Sequence, residues 1–476
     1  MRLPCLKIPL AISDPIGNDP RQITPMKPNS TLIGATVVAA LGGLLFGFDT
    51  VIISGAQTQL KDIFQLDGFM QGFMVASALI GTIVGSLIAG KPGDVFGRRD
   101  SLKVVAVVYL VSALGCALAW NFSSLVSFRL IGGVAIGASS VLGPLYLVEI
   151  APTHLRGRLV GFFQFNVILG ILLAYVANYL LGLAHFGADE WRWKLGIVAL
   201  PAAGFLLCLY FIPRSPRWLA MKGLYDEART VLVKIGTEMV DDQLEAIRRS
   251  IHIEKGRSAE PLFRMAYLTP ILLAWGVAMF NQLTGINALL YYLNPIFTMA
   301  GFDKVSGDMQ SVAVGATMLV FTLFGMMIID HAGRRLLLLA GSVGMAIALG
   351  GVAMVFNTGT HKELLIWLLL FYMVFFSFGQ GAVIWVYISE VFPNAVRGKG
   401  QTLGSFTHWF MAAVVSWTFP VFARNAGEPG AGIPFYFFAA MMVLQFFVVW
   451  KFFPETKGIA LEDMEEAMSG RGTPAA

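Results

Sequence analysis

The chain has 476 residues, of which 56% are hydrophobic and 13% are charged. Soluble domains carry about twice that share of charged residues, so this composition excludes a water-soluble fold and indicates a lipid environment. The net charge of +5 is spread over short basic clusters, which excludes nucleic-acid binding because that function needs one continuous basic face. The three scattered cysteines give neither a disulfide framework nor a metal-ligand spacing, so we expect no metal and no cofactor.

The apolar runs fall into two groups. Residues 1–30 are polar and proline-rich, which indicates a disordered tail rather than a signal peptide. Runs long enough to cross a bilayer follow at 31–56, 69–92, 101–121, 124–150, 158–183 and 193–213, and then at 266–299, 308–329, 335–357, 364–392, 400–424 and 433–453. Such runs predict helices, because barrel strands are shorter and alternate. We therefore predict an all-α membrane protein with two six-helix bundles, 31–213 and 266–453, and a tail at 454–476.

The two groups repeat one another in sequence. Residues 149–158 follow the pattern Glu-x-x-Pro-x-x-x-Arg-Gly-Arg, and 390–399 follow the same pattern with a final lysine. Gly-Arg-Arg stands at 97–99 and again at 333–335. A duplicated half in a very apolar chain is typical of transporters built from two pseudo-symmetric bundles, with the substrate site between them.

The polar segment 214–265 is too short for an independent core. Leu224, Ala228 and Leu232 recur at helical spacing, as do Leu244 and Ile247. This spacing predicts short amphipathic helices on the membrane face, and the alternative is a solvated linker with nascent helices.

Lysine and arginine indicate the orientation. They concentrate in 214–265 and in the connections after the second, fourth, eighth and tenth runs, whereas the opposite connections are poorer in them. Both termini and the linker are therefore expected on the cytoplasmic side of the cell membrane. Arg192, Lys194 and Arg424 are exceptions to this rule.

Charged residues recur at the cytoplasmic ends of the runs. They are Asp94, Arg98, Arg99, Glu149, Arg156 and Arg158 in the first half, and Asp330, Arg334, Arg335, Glu390 and Arg397 in the second. Opposite charges at helix ends can pair across helices and separate when water enters. We hypothesise that they latch the cytoplasmic side shut in the outward-open state. The alternative is a topology signal with snorkelling side chains.

An acid and a base are predicted within the bilayer. Asp49 lies deep in the first run and Arg129 early in the fourth, and a rise of ~1.5 Å per residue brings both to one depth. Because a lone charge there is costly, pairing is expected. The functional hypothesis is a proton site whose acid gains and loses its proton as the pair separates, and the alternative is a static ion pair.

Several motifs together resemble the sugar porter family of the major facilitator superfamily. They include 90–99, 149–158, Pro213–Arg217 with its counterpart Pro454–Gly458, Gln282–Asn287 and Trp385. The resemblance implies a twelve-helix transporter that moves a monosaccharide by alternating access. It also implies sugar contacts at Gln164, Gln282, Asn287 and Trp385. An acid at position 49 is similar to the proton-coupled members of the family.

The residue types fit a sugar, which needs hydrogen-bond donors and acceptors and a flat apolar face. Amides recur at Gln164, Asn281, Gln282 and Asn287, and Gly285 can permit a helix break that brings the last three together. Rings stand at Trp385, His408 and Trp409, although Asn281 and His408 depart from the family's glutamines. The alternatives are helix-to-helix bonding for the amides and packing for the rings.

Two tyrosines follow the amides. Tyr291 and Tyr292 can form an outer gate, and interface aromatics are the equal alternative.

No phosphate loop, metal cluster or nucleophile–base set indicates an enzyme. We expect a proton-coupled monosaccharide transporter that works as a monomer in the lipid bilayer, with a passive facilitator and a membrane sugar sensor as alternatives.

Overall fold

The computed structural model describes residues 29–152, 155–237, 239–256, 260–393 and 395–457. The predicted tails at 1–30 and 454–476 lie outside these ranges except at their inner ends. The described residues form helices joined by short connections, so the all-α membrane fold is confirmed.

The helices of the first half are α1 (Ser30–Ile52), α2 (Gln57–Ile63), α3 (Gly68–Ile88), α4 (Gly90–Phe96), α5 (Arg98–Ala117), α6 (Phe122–Ile150), α7 (Arg156–Leu183), α8 (Glu190–Gly196) and α9 (Ala199–Cys208). The linker holds α10 (Pro216–Met221), α11 (Tyr225–Lys234) and α12 (Val240–Gly256). The second half holds α13 (Leu268–Leu283), α14 (Ile286–Met299), α15 (Lys304–Ala332), α16 (Arg334–Thr358), α17 (Leu364–Phe376), α18 (Ala382–Glu390), α19 (Arg397–Phe422) and α20 (Ile433–Phe452).

Eleven helical segments of the described chain are long and apolar enough to cross a membrane. The twelfth predicted span is α19, which has 26 residues but carries polar side chains such as Gln401, Thr402 and His408. The run predicted at 193–213 corresponds to the helical segment Gly187–Cys208, which contains Lys194.

The two halves meet along pairs of long helices. Within the first half α3 packs on α6 and α1 on α7, and within the second half α16 packs on α20 and α13 on α19. Across the halves α3 packs on α19 and α7 on α15. Gly72 of α3 permits the first of these contacts, because a Cβ there would lie 2.0 Å from the carbonyl oxygen of Trp417. Small residues bring membrane helices close in this way.

The sequence repeat reappears as a repeated contact. Tyr146 donates a hydrogen bond of 2.7 Å to the carbonyl of Pro213, and Tyr387 donates one of 3.2 Å to the carbonyl of Pro454. Each bond ties the chain that follows the last membrane helix of a half to the fourth membrane segment of that half. We call the end of the molecule that carries these contacts and the linker the linker end, and the opposite end the far end.

The linker forms the predicted short helices. Ala228, Leu232 and Ile235 are buried, and α10, α11 and α12 pack on one another, with α10 also touching α6. The alternative of nascent helices in a solvated linker is therefore wrong for these residues. Leu224, which was assigned to the apolar face, is 41% exposed.

Gly97 precedes α5 in a backbone conformation that should not tolerate a side chain, and this can be tested. It has φ +90° and ψ 151°, a region that is essentially restricted to glycine, and residues held in such regions cost of order 1–3 kcal/mol. A Cβ there would also lie 3.1 Å from the Trp218 ring. Gly97→Ala is expected to lower the thermal midpoint of unfolding in detergent. Gly90→Ala is the matched control, because a Cβ at Gly90 meets nothing within 4 Å. Equal midpoints for the two variants would contradict the strain.

Candidate functional site

A helix break at Gly285 gathers the three predicted amides of the second half. Gly285 has a left-handed backbone with φ +82° and separates α13 from α14, as predicted. Asn287 Nδ2 donates to Gln282 Oε1 at 2.9 Å. Gln282 Nε2 in turn donates to Asn281 Oδ1 at 3.0 Å. An unbroken helix would spread these side chains around its axis, so the break builds the amide group.

An aromatic group adjoins the amides. The π-helix Ser377–Gly381 precedes α18 and interrupts the regular helix before Trp385. The ring centroids of Trp385 and His408 are 5.0 Å apart, and those of His408 and Trp409 are 4.8 Å apart. His408 Nδ1 also lies 3.2 Å from Gln282 Nε2. The structure thus brings six of the seven predicted sugar residues into one group, which we call the amide–ring cluster (Asn281, Gln282, Asn287, Trp385, His408 and Trp409).

Gln164 is the seventh predicted sugar residue and lies on α7 of the first half, partly exposed. Its amide makes no hydrogen bond to the described residues. Trp385 is 36% exposed, so the amide–ring cluster also presents an open face. The group can hold a polyhydroxylated ring, because amides both donate and accept and the indole offers a flat apolar face.

Asp49 and Arg129 line one narrow cavity. Its lining also includes Phe46, Tyr291 and Trp409. The expected direct ion pair is not formed in this conformation. Instead Arg129 Nε donates to the Met74 carbonyl at 3.1 Å, and its Nη2 makes no hydrogen bond to the described residues. Because Trp409 belongs to both groups, the cavity adjoins the amide–ring cluster.

Tyr291 and Tyr292 are 3% and 1% exposed. The alternative of interface aromatics is therefore wrong. The Tyr291 carbonyl accepts a hydrogen bond of 2.6 Å from Gln57 of the first half. Tyr292 has a non-helical backbone, and its hydroxyl donates to the Ser416 carbonyl at 2.8 Å. The pair lies where the two halves touch.

Arg98 anchors the linker end of the first half. Its guanidinium lies 3.0 Å from the Glu149 carboxylate and 2.9 Å from the Asp94 carboxylate, and it donates to the Gly93 carbonyl at 2.8 Å. The neighbouring Arg99 contacts Asp100 at 3.0 Å.

Arg334 repeats this arrangement in the second half. It lies 2.8 Å from the Glu390 carboxylate and 3.0 Å from the Asp330 carboxylate, and it donates to the Ile329 carbonyl at 3.1 Å. Arg335 donates to the Trp450 carbonyl. Both arginine groups form within their own half, between helices, and neither bridges the two halves in the described chain.

Four predicted switch residues make no ion pair with the described residues, namely Arg335 and the three residues Arg156, Arg158 and Arg397. Arg156 and Arg158 are exposed at the start of α7, and Arg397 donates to the Phe392 carbonyl at 3.3 Å. Their side chains are available for other partners in another conformation.

The far end holds charged residues that sequence reasoning missed. Lys194 of the first half lies 3.5 Å from Asp308 of the second, and Lys304 of the second lies 2.8 Å from Glu190 of the first. One signal was present in the sequence. Lys194 was an exception to the basic-residue rule, and it is buried here with 0% of its side chain exposed.

The family described as "Sugar (and other) transporter" matches residues 35–468. The chain belongs to this family. It is 36% identical to the D-xylose-proton symporter of Escherichia coli K12, over 92% of this chain and 96% of that protein. It is 35% identical to the arabinose-proton symporter of Bacillus subtilis, over 94% of this chain and 99% of that protein. These relatives are named as transporters and not as enzymes.

A solved structure matches over the same extent. The Escherichia coli xylose transporter in its inward-open conformation has a TM-score of 0.82 and 35% identity to this chain, and the match covers 92% of this chain and 99% of that one. The chain is therefore a multi-pass membrane transporter with the fold of that protein.

Gly285 tests whether the helix break builds the site. A Cβ there would lie 2.5 Å from the Phe438 ring, and the left-handed backbone disfavours alanine. Gly285→Ala is expected to weaken sugar binding about tenfold or more, because one misplaced bidentate contact costs about 1–3 kcal/mol. Titration calorimetry with D-xylose, L-arabinose and D-glucose measures it. Gly276→Ala on α13 is the control, since a Cβ there meets its nearest neighbour at an ordinary 3.6 Å. Equal affinities of the two variants would contradict the role of the break.

Proposed function

We propose that the chain imports a monosaccharide together with a proton by alternating access, as a monomer in the cell membrane. The single observation that carries this proposal is the contact between two groups. Trp409 belongs to the amide–ring cluster and also lines the cavity of Asp49 and Arg129. A change of charge at Asp49 therefore acts directly on the wall of the sugar site. The names of the similar symporters support a pentose as the first substrate to test.

The sugar would bind between the halves. The second half supplies the amide–ring cluster, and Gln164 on α7 supplies an amide from the first half. Phe46 of α1 packs on Trp409 with ring centroids 5.5 Å apart, so the wall of the cluster already touches the first half. A substrate held by both halves is favoured when they close around it, which couples binding to rocking.

The proton would bind at Asp49. The acid lies on α1 and Arg129 on α6, within one cavity but without direct contact. A carboxylate near an unpaired guanidinium is stabilised as an anion when the two approach, and it takes up a proton more readily when they separate. Motion of α1 relative to α6 thus changes proton affinity with conformation. A static ion pair, the alternative from the sequence, would need the direct contact in each conformation.

The linker end is proposed to face the cytoplasm, with both chain termini on that side. The basic residues of the linker and of the connections at this end support this orientation. The far end, where the halves are joined by ion pairs, then faces outward. The match to the inward-open structure of the Escherichia coli transporter supports a conformation that is open toward the cytoplasm.

Asp49→Asn separates coupling from transport. The neutral amide keeps the shape of the side chain but cannot exchange a proton. In proteoliposomes, sugar exchange at equal pH is expected to continue, while accumulation driven by an inward proton gradient is lost. Asp62→Asn is the control, because Asp62 is exposed on α2. Uphill accumulation by Asp49→Asn equal to that of the control would sink the proton site. Accumulation that is absent even from the unaltered chain would indicate a passive facilitator.

The charged residues at the linker end are proposed to latch it in the outward-open state through pairs that form between the halves. Arg156, Arg158 and Arg397 make no ion pair here, and closure of this end would bring them toward carboxylates of the opposite half. Pairs that form only in the closed arrangement favour it by their differential contact.

Glu149→Gln tests the latch. Glu149 is a carboxylate of the first half that Arg397 of the opposite half would pair with when the linker end closes, so its loss is expected to weaken closure and shift the conformational balance inward. Labelling of single cysteines from the outside and the inside measures the shift in membrane vesicles. Asp62→Gln is the control, because Asp62 lies at the far end. Unchanged outside accessibility in Glu149→Gln would count against the latch and favour a purely topological role for these charges.

A further inference from the structure

The far end holds a buried charge cluster that neither the sugar site nor the proton pair uses. Lys194 Nζ lies 2.8 Å from Glu190 on the same helix, with 0% of the lysine side chain exposed. It donates to the Gly55 carbonyl at 3.1 Å. It also lies 3.5 Å from Oδ2 of Asp308, which is 0% exposed and belongs to the second half.

The second oxygen of Asp308 extends the cluster. It accepts a hydrogen bond from the Asn294 side-chain amide. The Asn294 Oδ1 atom accepts from Ser311 at 2.9 Å and from Ser54 of the first half at 3.2 Å. Asp308 is therefore tied to the first half twice, directly through Lys194 and indirectly through Asn294 and Ser54.

A second ion pair joins the halves, and here the lysine belongs to the second half and the acid to the first. Lys304 of the second half lies 2.8 Å from Glu190 of the first, but its side chain is 40% exposed. The two lysines and two carboxylates of this cluster have a net charge of zero. Only the Lys194–Asp308 pair is fully enclosed, and it is therefore the pair whose separation changes the environment of the charges most.

Because the Lys194–Asp308 pair is buried, each of its charges needs the other only while the far end is closed. A buried charge without its partner is costly, whereas two paired charges compensate each other, and replacement of both by apolar residues of similar volume is often neutral. When the far end opens, water hydrates each group separately. Loss of one partner thus penalises the closed far end and leaves the open far end nearly unaffected.

We propose that Lys194 and Asp308 form an ionic clamp that closes the far end and sets its share of the conformational equilibrium. The clamp is a positioning device, since neither residue touches the amide–ring cluster. The proposal rests on alternating access for its consequence in transport. It does not depend on which sugar is carried or on whether a proton is coupled.

The experiment measures the opening of the far end directly. Spin labels at Asp62→Cys and Glu428→Cys, which are exposed at the far end on opposite halves, report the distance between the halves by pulsed electron resonance. The three native cysteines are replaced by alanine in this background. No sugar and no pH gradient are needed, so failure of the proposed sugar or proton function leaves the result interpretable.

Two single variants and their combination decide the matter. Lys194→Met and Asp308→Leu are each expected to raise the ratio of open to closed far ends about tenfold or more. The double variant Lys194→Met/Asp308→Leu is expected to return toward the unaltered ratio, because the apolar pair needs no partner charge. A purely structural role would lower the melting temperature without shifting this ratio.

Arg192→Met is the matched control on the same segment. Arg192 is 37% exposed and pairs with Asp189 of its own half at 3.2 Å, so the ratio is expected to stay unchanged. Where Asp308→Leu does not fold, Asp308→Asn keeps the shape and removes the charge. Single variants that match Arg192→Met overturn the clamp. If the open-to-closed ratio of the double variant is as high as that of the more open single variant, the clamp does not act through its charges.

Discussion

The structure depends on one constraint, which is that polar groups inside a bilayer have no water to bond with. They must be satisfied within the protein or face a cleft between its parts. In the described chain they gather where the two halves meet: the amides near Gly285, the cavity of Asp49, and the charges around Lys194. The same surface therefore carries both cohesion and function, because each polar contact that joins the halves must also be able to release.

Duplication gives each half the same internal anchor. Arg98 and Arg334 occupy equivalent positions, each holding a carboxylate of a neighbouring helix and a backbone carbonyl within its own half. Such internal anchors do not oppose motion between halves. Contacts that cross the halves, such as Lys194 with Asp308, do oppose it, and in this conformation they lie at the far end.

Local breaks decide the chemistry more than the long helices do. The left-handed Gly285 turns one apolar run into two helices and converts three amides on different faces into one hydrogen-bonded group. The π-helix Ser377–Gly381 is a second break, because it interrupts the regular helix before Trp385. Backbone irregularity at membrane depth is tolerated where it lines a cavity, so these breaks mark the site.

The sequence by itself determined the class of fold, the twelve apolar segments and most candidate residues, because hydropathy and duplication are local properties of the chain. It also identified Gly285 as a place for a break. Only the tertiary structure decided which charges meet. Asp49 and Arg129 share a depth but not a contact, and Lys194, which looked like an exception to topology, is buried against Asp308 from the other half. Pairing between residues more than a hundred positions apart depends on how the two halves are placed against each other, and no spacing along the chain encodes that placement.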